Sequence, residues 1–218
     1  NILLLGLRGE EDPNGGLLTD SIMVLSLKKS TGQTAWISIP RDLYLKMPGE
    51  SYKEKINFAY ALGFEKKGST GALLYSKTAV SKTTGLYINY AIAMNHQAFK
   101  EIVDILGGID IILDKPFRED QQFSKEMIID LPAGRNHLNG TSALYFVRSR
   151  FTTSDFDRAR RQQQVALAIK DKAFSLGVIS NPVKIFQILN SLGKNVRLDM
   201  PLSQIKNLIV MVENFGDQ

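Results

Sequence analysis

Segments typical of strands alternate with segments typical of helices along almost the whole chain, and this alternation strongly limits the folds open to it. Strands are predicted over 1–7, 19–27, 34–39, 87–94, 109–113 and 141–150. Helices are predicted over 55–64, 69–85, 95–108, 157–177, 181–193 and 201–216. Because every element must bury its apolar side, interleaved elements of this kind build a sheet covered by helices. The predicted fold class is α/β, a single-domain α/β/α sandwich with a central mixed β-sheet and helices on both of its faces.

Length and composition are those of one globular domain, which we expect to span residues 1–218. The absence of cysteine excludes disulfides, thiolate nucleophiles and cysteine zinc sites. The two histidines, His96 and His137, are too few for a His-rich metal site. No run reaches the roughly 20 apolar residues that cross a bilayer. Since the chain begins at Asn1 rather than at a methionine, we expect an excised fragment that does not include a signal or membrane anchor.

Arginine is concentrated in one short stretch. Five arginines lie between Arg148 and Arg161, against two aspartates, so this stretch carries +3 of the formal net charge of +5. A local excess favours an anion site over general coating of nucleic acid. Ser154 or Asp155 is a good N-cap for the helix that follows. Because a helix N-terminus is already positive, arginines beside it favour a bound anion, and ion pairing with Asp155 and Asp157 is the alternative.

The spacing of these residues predicts that they converge. On the predicted strand, Arg148 and Arg150 lie two apart and point to one face. On the predicted helix, Arg158, Arg161 and Gln162 share a face. Guanidinium groups offer planar sets of donors that match phosphate oxygens. The sequence therefore predicts a phosphate cradle built from this strand and this helix.

Further candidates lie nearer the start of the chain. Asp20, at the start of a predicted strand, either holds Mg²⁺ against phosphate oxygens or is a turn residue. Arg41 follows the end of another strand, where it either joins the cradle with Asp42 orienting it or forms a surface ion pair. The glycine-containing loop over 8–16 matches neither common nucleotide-binding pattern. Apolar faces on the last two predicted helices are either core or a lipid-binding surface.

Seven stretches of the chain, in this order, resemble the LytR–CpsA–Psr family of cell-envelope phosphotransferases. They are NILLLG (1–6), TDSIMV (19–24), SIPRD (38–42), MPG (47–49), KINFAYALG (55–63), FKEIVDILGGIDI (99–111) and HLNGTSALYFVRSRFTTSDFDRARRQQ (137–163). The last stretch is the most specific, because it combines YxxR-x-R with DxxRxxRQ.

The resemblance implies an extracytoplasmic domain at the bacterial cell membrane, with an α/β/α fold, a hydrophobic pocket for a lipid tail and an N-terminal membrane anchor outside this chain. Members move a glycan-phosphate from a polyprenyl-pyrophosphate carrier to a peptidoglycan hydroxyl and release prenyl monophosphate. They attach wall teichoic acid, capsule and related polymers. The implied partners are the lipid-linked glycan donor, the peptidoglycan acceptor and the membrane, with no nucleic acid. The implied cofactor is Mg²⁺, with Mn²⁺ as an alternative.

The resemblance also assigns roles to individual residues. Catalytic roles fall on Arg41, Arg148, Arg150, Asp155 and Arg158. Substrate-binding roles fall on Arg161, Gln162 and Arg8, and the metal-binding role falls on Asp20. The general base stays open, because Asp155 either holds an arginine in place or takes a proton.

One position departs from the family pattern. Members commonly carry an acidic residue shortly after the glycine of the first strand, whereas here Gly6 and Leu7 are followed by Arg8. Three interpretations stay open. A nearby carboxylate replaces the missing ligand, metal binding is weakened, or Arg8 supplies part of the charge of the metal. The nearby carboxylates are those of Glu10, Glu11 and Asp12.

The expected activity is therefore glycopolymer-phosphate transfer, with pyrophosphatase action as a side reaction. The alternative is a non-catalytic binder of polyprenyl (pyro)phosphate lipids, and Arg8 motivates it. A DNA-binding regulator is disfavoured, because Val165 and Ile169 continue the arginine-bearing helix face as apolar residues.

Overall fold

The structure is a computed structural model that describes residues 1–10, 12, 16–122, 128–178, 181–201, 203–205 and 207. Its elements are β1 (Ile2–Leu7), β2 (Thr19–Leu27), β3 (Thr34–Ser38), β4 (Tyr44–Lys46), β5 (Lys53–Lys55), α1 (Phe58–Thr84), β6 (Tyr90–Asn95), α2 (His96–Ile105), β7 (Ile109–Leu113), β8 (Phe117–Glu119), β9 (Ile129–Leu131), β10 (Gly134–Leu138), α3 (Gly140–Arg148), α4 (Asp155–Ser175), α5 (Pro182–Ser191), a short 3-10 helix (Gly193–Asn195) and β11 (Val196–Leu198). The predicted α/β class with a central mixed sheet is confirmed.

The chain divides into two compact units. The first unit comprises Asn1–Gln97 and Pro182–Gln218, and the second comprises Ala98–Asn181. The single domain expected over 1–218 stays a prediction.

A five-stranded mixed sheet, in the order β11-β6-β1-β2-β3, forms the centre of the first unit. Strand β1 runs parallel to β6, and the other neighbouring pairs are antiparallel. Along β1 the buried residues Leu3, Leu5 and Leu7 alternate with half-buried ones, because successive side chains of a strand point to opposite faces. The buried face shares one apolar cluster with Ala72 and Val80 of α1, and this cluster holds the helix on the sheet.

Helix α1 is interrupted in its middle. Lys67 and Gly68 leave the helical conformation, and Gly68 has a φ of 61°, which favours glycine. The element therefore consists of two halves, in agreement with the two helices predicted there. Gly63 and Gly71 lie against each other, and a Cβ added to either glycine would overlap the backbone of the other.

The second unit combines two small sheets, β7–β10 and β8–β9, with helices α3 and α4. Its apolar core contains Val103, Ile109, Phe146 and Val165, and each of these is almost fully buried. Phe146 meets Phe117 edge to face, with 5.2 Å between the ring centroids. This aromatic pair ties β8 to α3.

The strand predicted over 141–150 is wrong, because the segment forms helix α3. The side chain of Asn139 accepts a hydrogen bond from the Ser142 N–H at 2.9 Å and caps the helix. Its buried residues recur at helical spacing: Ala143, Leu144, Phe146 and Val147. Burial of this stripe outweighs the strand preference of the aromatic and β-branched residues that suggested a strand.

Several short elements escaped prediction. Strands β8, β9 and β10 lie in a polar stretch with weak alternation, and β4, β5 and β11 have three residues each. The helix predicted over 201–216 lies mostly outside the described residues. Within the described part of the chain, every helix is too short or too polar to cross a membrane.

Candidate functional site

Asp20 lies at a β-bulge between β1 and β2. Gly6 pairs with Ser21 and Leu7 pairs with Thr19, so Asp20 is the extra residue on the longer strand. A bulge interrupts the regular alternation of side chains and redirects one of them. The Asp20 carboxylate therefore lies where β1 ends and β2 begins, outside the regular strand pairing.

Two guanidinium groups hold this carboxylate. Arg41 donates from Nη1 to Oδ1 of Asp20, and Arg8 donates from Nε to Oδ2 at 3.4 Å. The side chains of Arg41 and Asp20 are 19% and 30% exposed, so the pair is partly shielded from water. The structure therefore brings together the three candidate site residues of the first unit.

Arg41 is fixed from two directions. Its carbonyl accepts the Asn57 N–H at 3.2 Å, at the start of α1. Its Nε lies 3.5 Å from Oδ2 of Asp42, whose Oδ1 lies 2.8 Å from Nζ of Lys55. The hydrogen bond from Lys55, with a smaller contribution from Arg41, holds the pKa of Asp42 below its ordinary value. This geometry agrees with the predicted orienting role of Asp42.

The surroundings of Asp20 do not fit a Mg²⁺ ion. Both carboxylate oxygens accept hydrogen bonds from guanidinium groups, so a dication at the same oxygens would face two positive charges at short range. Among the residues that the structure describes, no three His, Cys, Asp or Glu side chains lie close enough to share a metal. The positive charge beside this carboxylate comes from Arg8 and Arg41.

The candidate replacement ligands are also engaged or outside the structure. Glu10 lies 3.4 Å from Nη2 of Arg197, and Asp12 lies 3.7 Å from Nη1 of Arg8. Glu11 lies outside the described residues. Of the three interpretations of Arg8, this arrangement favours the one in which the guanidinium takes over part of the charge of a metal.

A pocket of 530 Å³ opens beside Arg8 in the first unit. Its lining includes Tyr60, Asn95, Asn195 and Arg197, at the edge where the parallel strands β1 and β6 end. Asn95 donates to the side chain of Asn195 at 2.7 Å. Burial raises the pKa of Tyr60 to about 12, so its hydroxyl stays protonated at neutral pH. Ligands of α/β sheets commonly bind at this edge, and here they would meet amide and guanidinium donors.

In the second unit, the start of α4 is stabilised by reciprocal hydrogen bonds. The Ser154 hydroxyl accepts the Asp157 N–H at 3.1 Å, and the Asp157 carboxylate accepts the Ser154 N–H at 3.1 Å. The Ser154 hydroxyl also donates to the Asp157 carboxylate at 2.7 Å, and this bond, followed by that from the Ser154 N–H, holds the pKa of Asp157 below its ordinary value. Nη1 of Arg158 lies 3.2 Å from Oδ1 of Asp155. The predicted Ser154 cap is confirmed, and Asp155 accompanies an arginine as expected.

Arg148 and Arg150 do not share a strand face, contrary to the prediction. Arg148 is the last residue of α3, and Arg150 lies in the turn that follows, which we call the arginine turn (residues 148–153). Both arginines are half-buried, and the guanidinium of Arg150 lies 5.8 Å from the ring centroid of Phe151. The two cations are therefore presented by a helix end and a turn.

A buried carboxylate holds the N–H groups of the arginine turn. Glu119 is fully buried, and its Oε2 accepts the N–H groups of Phe151 at 3.1 Å and Thr152 at 3.2 Å. Its Oε1 accepts those of Gln121 and Gln122. Burial alone would raise the pKa of Glu119, but these N–H donors and the Thr152 hydroxyl outweigh burial and lower it.

The side-chain amide of Gln122 is a second support of the turn, because it accepts one backbone hydrogen bond and donates another. Its Oε1 accepts the Arg150 N–H at 2.5 Å, and its Nε2 donates to the Arg148 carbonyl at 2.8 Å. One side chain thus satisfies the backbone on both sides of Ser149, which is itself fully buried.

Arg161, for which a substrate-binding role is predicted, turns its guanidinium into the second unit. This side chain is buried, and its guanidinium donates to the carbonyls of Phe146 and Ser149 and to the Thr153 hydroxyl. It also lies 4.8 Å from the ring centroid of Phe117. Arg161 therefore holds α3 and the arginine turn from inside the unit, through one carbonyl of each and the Thr153 hydroxyl.

Gln162 also points its amide towards α3, with Nε2 3.5 Å from the Val147 carbonyl. Arg148, Arg150 and Arg158 are the half-buried arginines of this segment, in contrast to the buried Arg161. The predicted site residues of the second unit all lie within 148–162, while Arg8, Asp20 and Arg41 form their own group in the first unit.

Sequence analysis missed Glu119 and Gln122. On strand β8, Glu119 lies two residues from Phe117 and shares its face, because strands alternate with a period of two. A carboxylate on the same face as an aromatic residue was the available signal. It could be used only after β8 had been recognised.

Fold and site define a mixed α/β protein that carries one arginine–carboxylate group in its first unit and an arginine-bearing turn in its second. The LytR_cpsA_psr family model matches residues 1–217, and the chain belongs to this family.

Individual relatives agree with this assignment. A protein from Bacillus cereus named polyisoprenyl-teichoic acid–peptidoglycan teichoic acid transferase TagU is 33% identical over 100% of this chain and 67% of its own length. The crystal structure of B. subtilis TagV is 26% identical, covers 98% of this chain and 79% of that chain, and superposes with a TM-score of 0.72. A structure of TagT bound to LI-WTA, 22% identical, covers 97% of this chain and 73% of that chain and shares the fold with a TM-score of 0.72. The chain spans about two thirds of the length of the named transferases.

Proposed function

We propose that this chain transfers a glycan-phosphate from a polyprenyl-pyrophosphate carrier to a hydroxyl of peptidoglycan at the extracytoplasmic face of the cell membrane. The acceptor oxygen attacks the phosphorus that carries the glycan, and a new phosphodiester bond forms. The phosphoanhydride bond breaks, and the bridging oxygen leaves with the prenyl monophosphate. The proton of the acceptor hydroxyl passes to a base or to water.

The arginine turn, held in place from inside the second unit, is the observation that carries this proposal. Phosphoryl transfer depends mainly on positioning and on neutralising the charge of phosphate oxygens. Fixed guanidinium groups meet both needs without reorganising during the reaction. The names of the relatives support the same donor and acceptor classes, because they specify a polyisoprenyl-linked teichoic acid and peptidoglycan.

Within the proposal, Arg148, Arg150 and Arg158 neutralise the pyrophosphate oxygens. Asp155 is 62% exposed and lies 3.2 Å from Arg158, which favours a role in holding that arginine over a role as general base. In the first unit, Arg41 and Arg8 form a separate group that holds Asp20.

Separate Arg148→Ala and Arg158→Ala variants test the proposal. Each is expected to lower turnover by a factor on the order of 10²–10³, because each removes a fixed donor to the reacting phosphates. The measurement is release of prenyl monophosphate from a synthetic prenyl-pyrophosphate glycan in the presence of a peptidoglycan oligomer. Arg135→Ala is the matched control, since this arginine of the same unit is 76% exposed and pairs with Asp110. Unchanged turnover in both test variants would refute the assignment.

The alternative is a non-catalytic lipid binder, and the guanidinium of Arg8 beside Asp20 motivates it. Tight binding of a prenyl pyrophosphate without release of monophosphate, at every Mg²⁺ and Mn²⁺ concentration, is the outcome that selects it. Measurable release in the assay above eliminates it.

The charge at Asp20 gives a separate prediction about metal. Mg²⁺ is expected to bind the wild-type chain weakly, because Arg8 already occupies one side of the carboxylate. Replacing that cation in Arg8→Asp creates a second carboxylate and is expected to raise the affinity for Mg²⁺ at least tenfold. Isothermal titration of the two proteins with MgCl₂ measures the difference, and Lys29→Asp controls for the change in net charge. Tighter binding by the wild-type chain than by the variant would contradict this assignment of Arg8.

A further inference from the structure

The hairpin β4–β5 exposes one face that is both basic and aromatic. Tyr44 pairs with Lys55 across the two strands, and Lys46 pairs with Lys53. All four side chains are exposed. We call these four residues the lysine–tyrosine face.

The opposite face of the hairpin anchors it to the protein. Leu45 packs against the apolar core of the first unit, and Met47, just after β4, is almost fully buried. The Ile56 N–H donates to the Leu43 carbonyl at 2.7 Å, and the Met47 N–H donates to the Tyr52 carbonyl at 3.1 Å. The lysine–tyrosine face is therefore presented on a fixed element.

Internal contacts leave the charges of Lys46 and Lys53 on this face uncompensated. Like charges directly opposite each other on paired strands are unfavourable, yet Lys46 faces Lys53. Among the described carboxylates, Asp42 pairs with Lys55 and Glu50 pairs with Lys66. Within that part of the chain, neither Lys46 nor Lys53 lies within ion-pair distance of a carboxylate. The arrangement costs stability in the isolated hairpin and gains it when an anionic surface lies opposite.

The exposed tyrosine of this face indicates which kind of anionic surface it fits. Tyr44 is 62% exposed, and the preceding Leu43 is 38% exposed. Tyrosine is enriched where one end of its ring meets an apolar region and the hydroxyl meets water, as at the headgroups of a bilayer. Lysines near a bilayer are attracted to anionic headgroups by about 1 kcal/mol each. An exposed tyrosine beside three lysines fits a lipid surface better than a fully hydrated polyanion.

We propose that the lysine–tyrosine face docks this chain on an anionic bilayer surface. The hairpin begins three residues after Arg41, and the Asn57 N–H just beyond it donates to the Arg41 carbonyl. Docking would hold Arg41 close to the level of the headgroups. A prenyl-linked pyrophosphate reaches the protein at that level, because its chain is embedded in the bilayer before the donor is bound. In this respect the inference rests on the proposed function and deepens it.

Lys46→Glu tests the proposal and separates binding from folding. The substitution places an opposite charge across from Lys53, so the stability of the protein is expected to stay the same or increase. Affinity for vesicles containing 30% anionic phospholipid is expected to fall about thirtyfold, because one attraction is replaced by one repulsion. Vesicle co-sedimentation measures the affinity, and urea denaturation measures the stability. Lys29→Glu, at the exposed turn between β2 and β3, is the control with the same change in charge.

A second variant tests the aromatic part of the face. Tyr44→Ser is expected to weaken vesicle binding severalfold even at high salt, where the contribution of the lysines is screened. Equal binding to zwitterionic and anionic vesicles, or an equal loss in Lys29→Glu, would overturn the proposal. Equal affinity for inorganic polyphosphate, lost in the same variants, would replace the bilayer by a soluble polyanion.

Failure of the docking proposal can be told apart from failure of the proposed function. Turnover of a water-soluble donor with a short prenyl chain does not require a bilayer, so Lys46→Glu is expected to leave it unchanged. Loss of vesicle binding together with full turnover of this donor is the combined result that supports both proposals.

Discussion

Glu119→Gln is expected to lower the free energy of unfolding by about 3 kcal/mol, although the side chain keeps its size. The carboxylate accepts four backbone N–H groups in a fully buried position, and bonds to a charged acceptor contribute about 1.5–3 kcal/mol each when the alternative is an unsatisfied group. The glutamine amide places an NH₂ donor against two of the N–H donors. Urea denaturation of the wild-type chain and the variant measures the difference.

Asp130→Asn provides the matched control in the same unit. Asp130 is 59% exposed and pairs with Arg118 at the surface, so its loss is expected to cost less than about 1 kcal/mol. Hydrogen exchange gives a second readout, because the amides of Phe151 and Thr152 are expected to lose protection only in the Glu119 variant. Equal destabilisation by both substitutions would contradict the assigned role of Glu119.

The same carboxylate predicts a dependence of stability on pH. Because its pKa is lower in the folded state than in the unfolded chain, its contribution is fully present above the unfolded value of about 4.3. That contribution is lost as the pH falls through the lower, folded pKa. The difference in stability between the wild-type chain and Glu119→Gln is therefore expected to shrink as the pH falls below about 4. A difference that stays constant down to pH 2 would count against this account.

Arg161→Lys is expected to cost about 2–4 kcal/mol of unfolding free energy, because a single ammonium cannot replace a planar fork of donors. The guanidinium satisfies the carbonyls of Phe146 and Ser149 and the Thr153 hydroxyl together, and a lysine in the same place leaves buried acceptors unpaired. Calorimetric or urea unfolding measures the loss.

The contrast with Glu119→Gln makes this second prediction specific. In Arg161→Lys the N–H groups of Phe151 and Thr152 keep their partner, so their protection relative to global stability is expected to persist. Turnover is expected to fall as well, since Arg148 and Arg150 are carried by the same turn. Arg160→Lys, at the exposed neighbouring position, is the control and is expected to change neither quantity.

Local signals made much of the fold predictable. The alternating apolar run of β1, the Ser154 cap of α4 and the interruption of α1 at Gly68 depend on residues within a few positions of one another. Helix α3 was not predictable in the same way. Its aromatic and β-branched residues favour a strand, and burial against distant elements decides the outcome.

In the candidate site, too, features set by neighbouring residues could be predicted, whereas features set by distant contacts could not. The arginine cluster is visible in the sequence, and cations beside a helix start predict either a bound anion or a nearby carboxylate. The pair of Arg158 and Asp155 could be predicted because the two residues are close in sequence. The inward direction of Arg161 was harder to predict. Val165, one helical turn further on, is buried, so the face that these two residues share points into the unit. The bulge that redirects Asp20 depends on the register between β1 and β2, and no local sequence pattern predicts it.

The supports of the arginine turn also determine when it can form. Its N–H groups donate to Glu119, which is 32 and 33 residues away in sequence, and to Gln122, which is 28 residues away. Each of these bonds can form only after the chain has closed a loop of that length. Contacts of long sequence separation form slowly. During synthesis from the N-terminus, the carboxylate and the amide emerge first, then the turn, and the guanidinium of Arg161 emerges last. Arg148 and Arg150 therefore acquire their final geometry only after the start of α4, which carries Arg161, has been made.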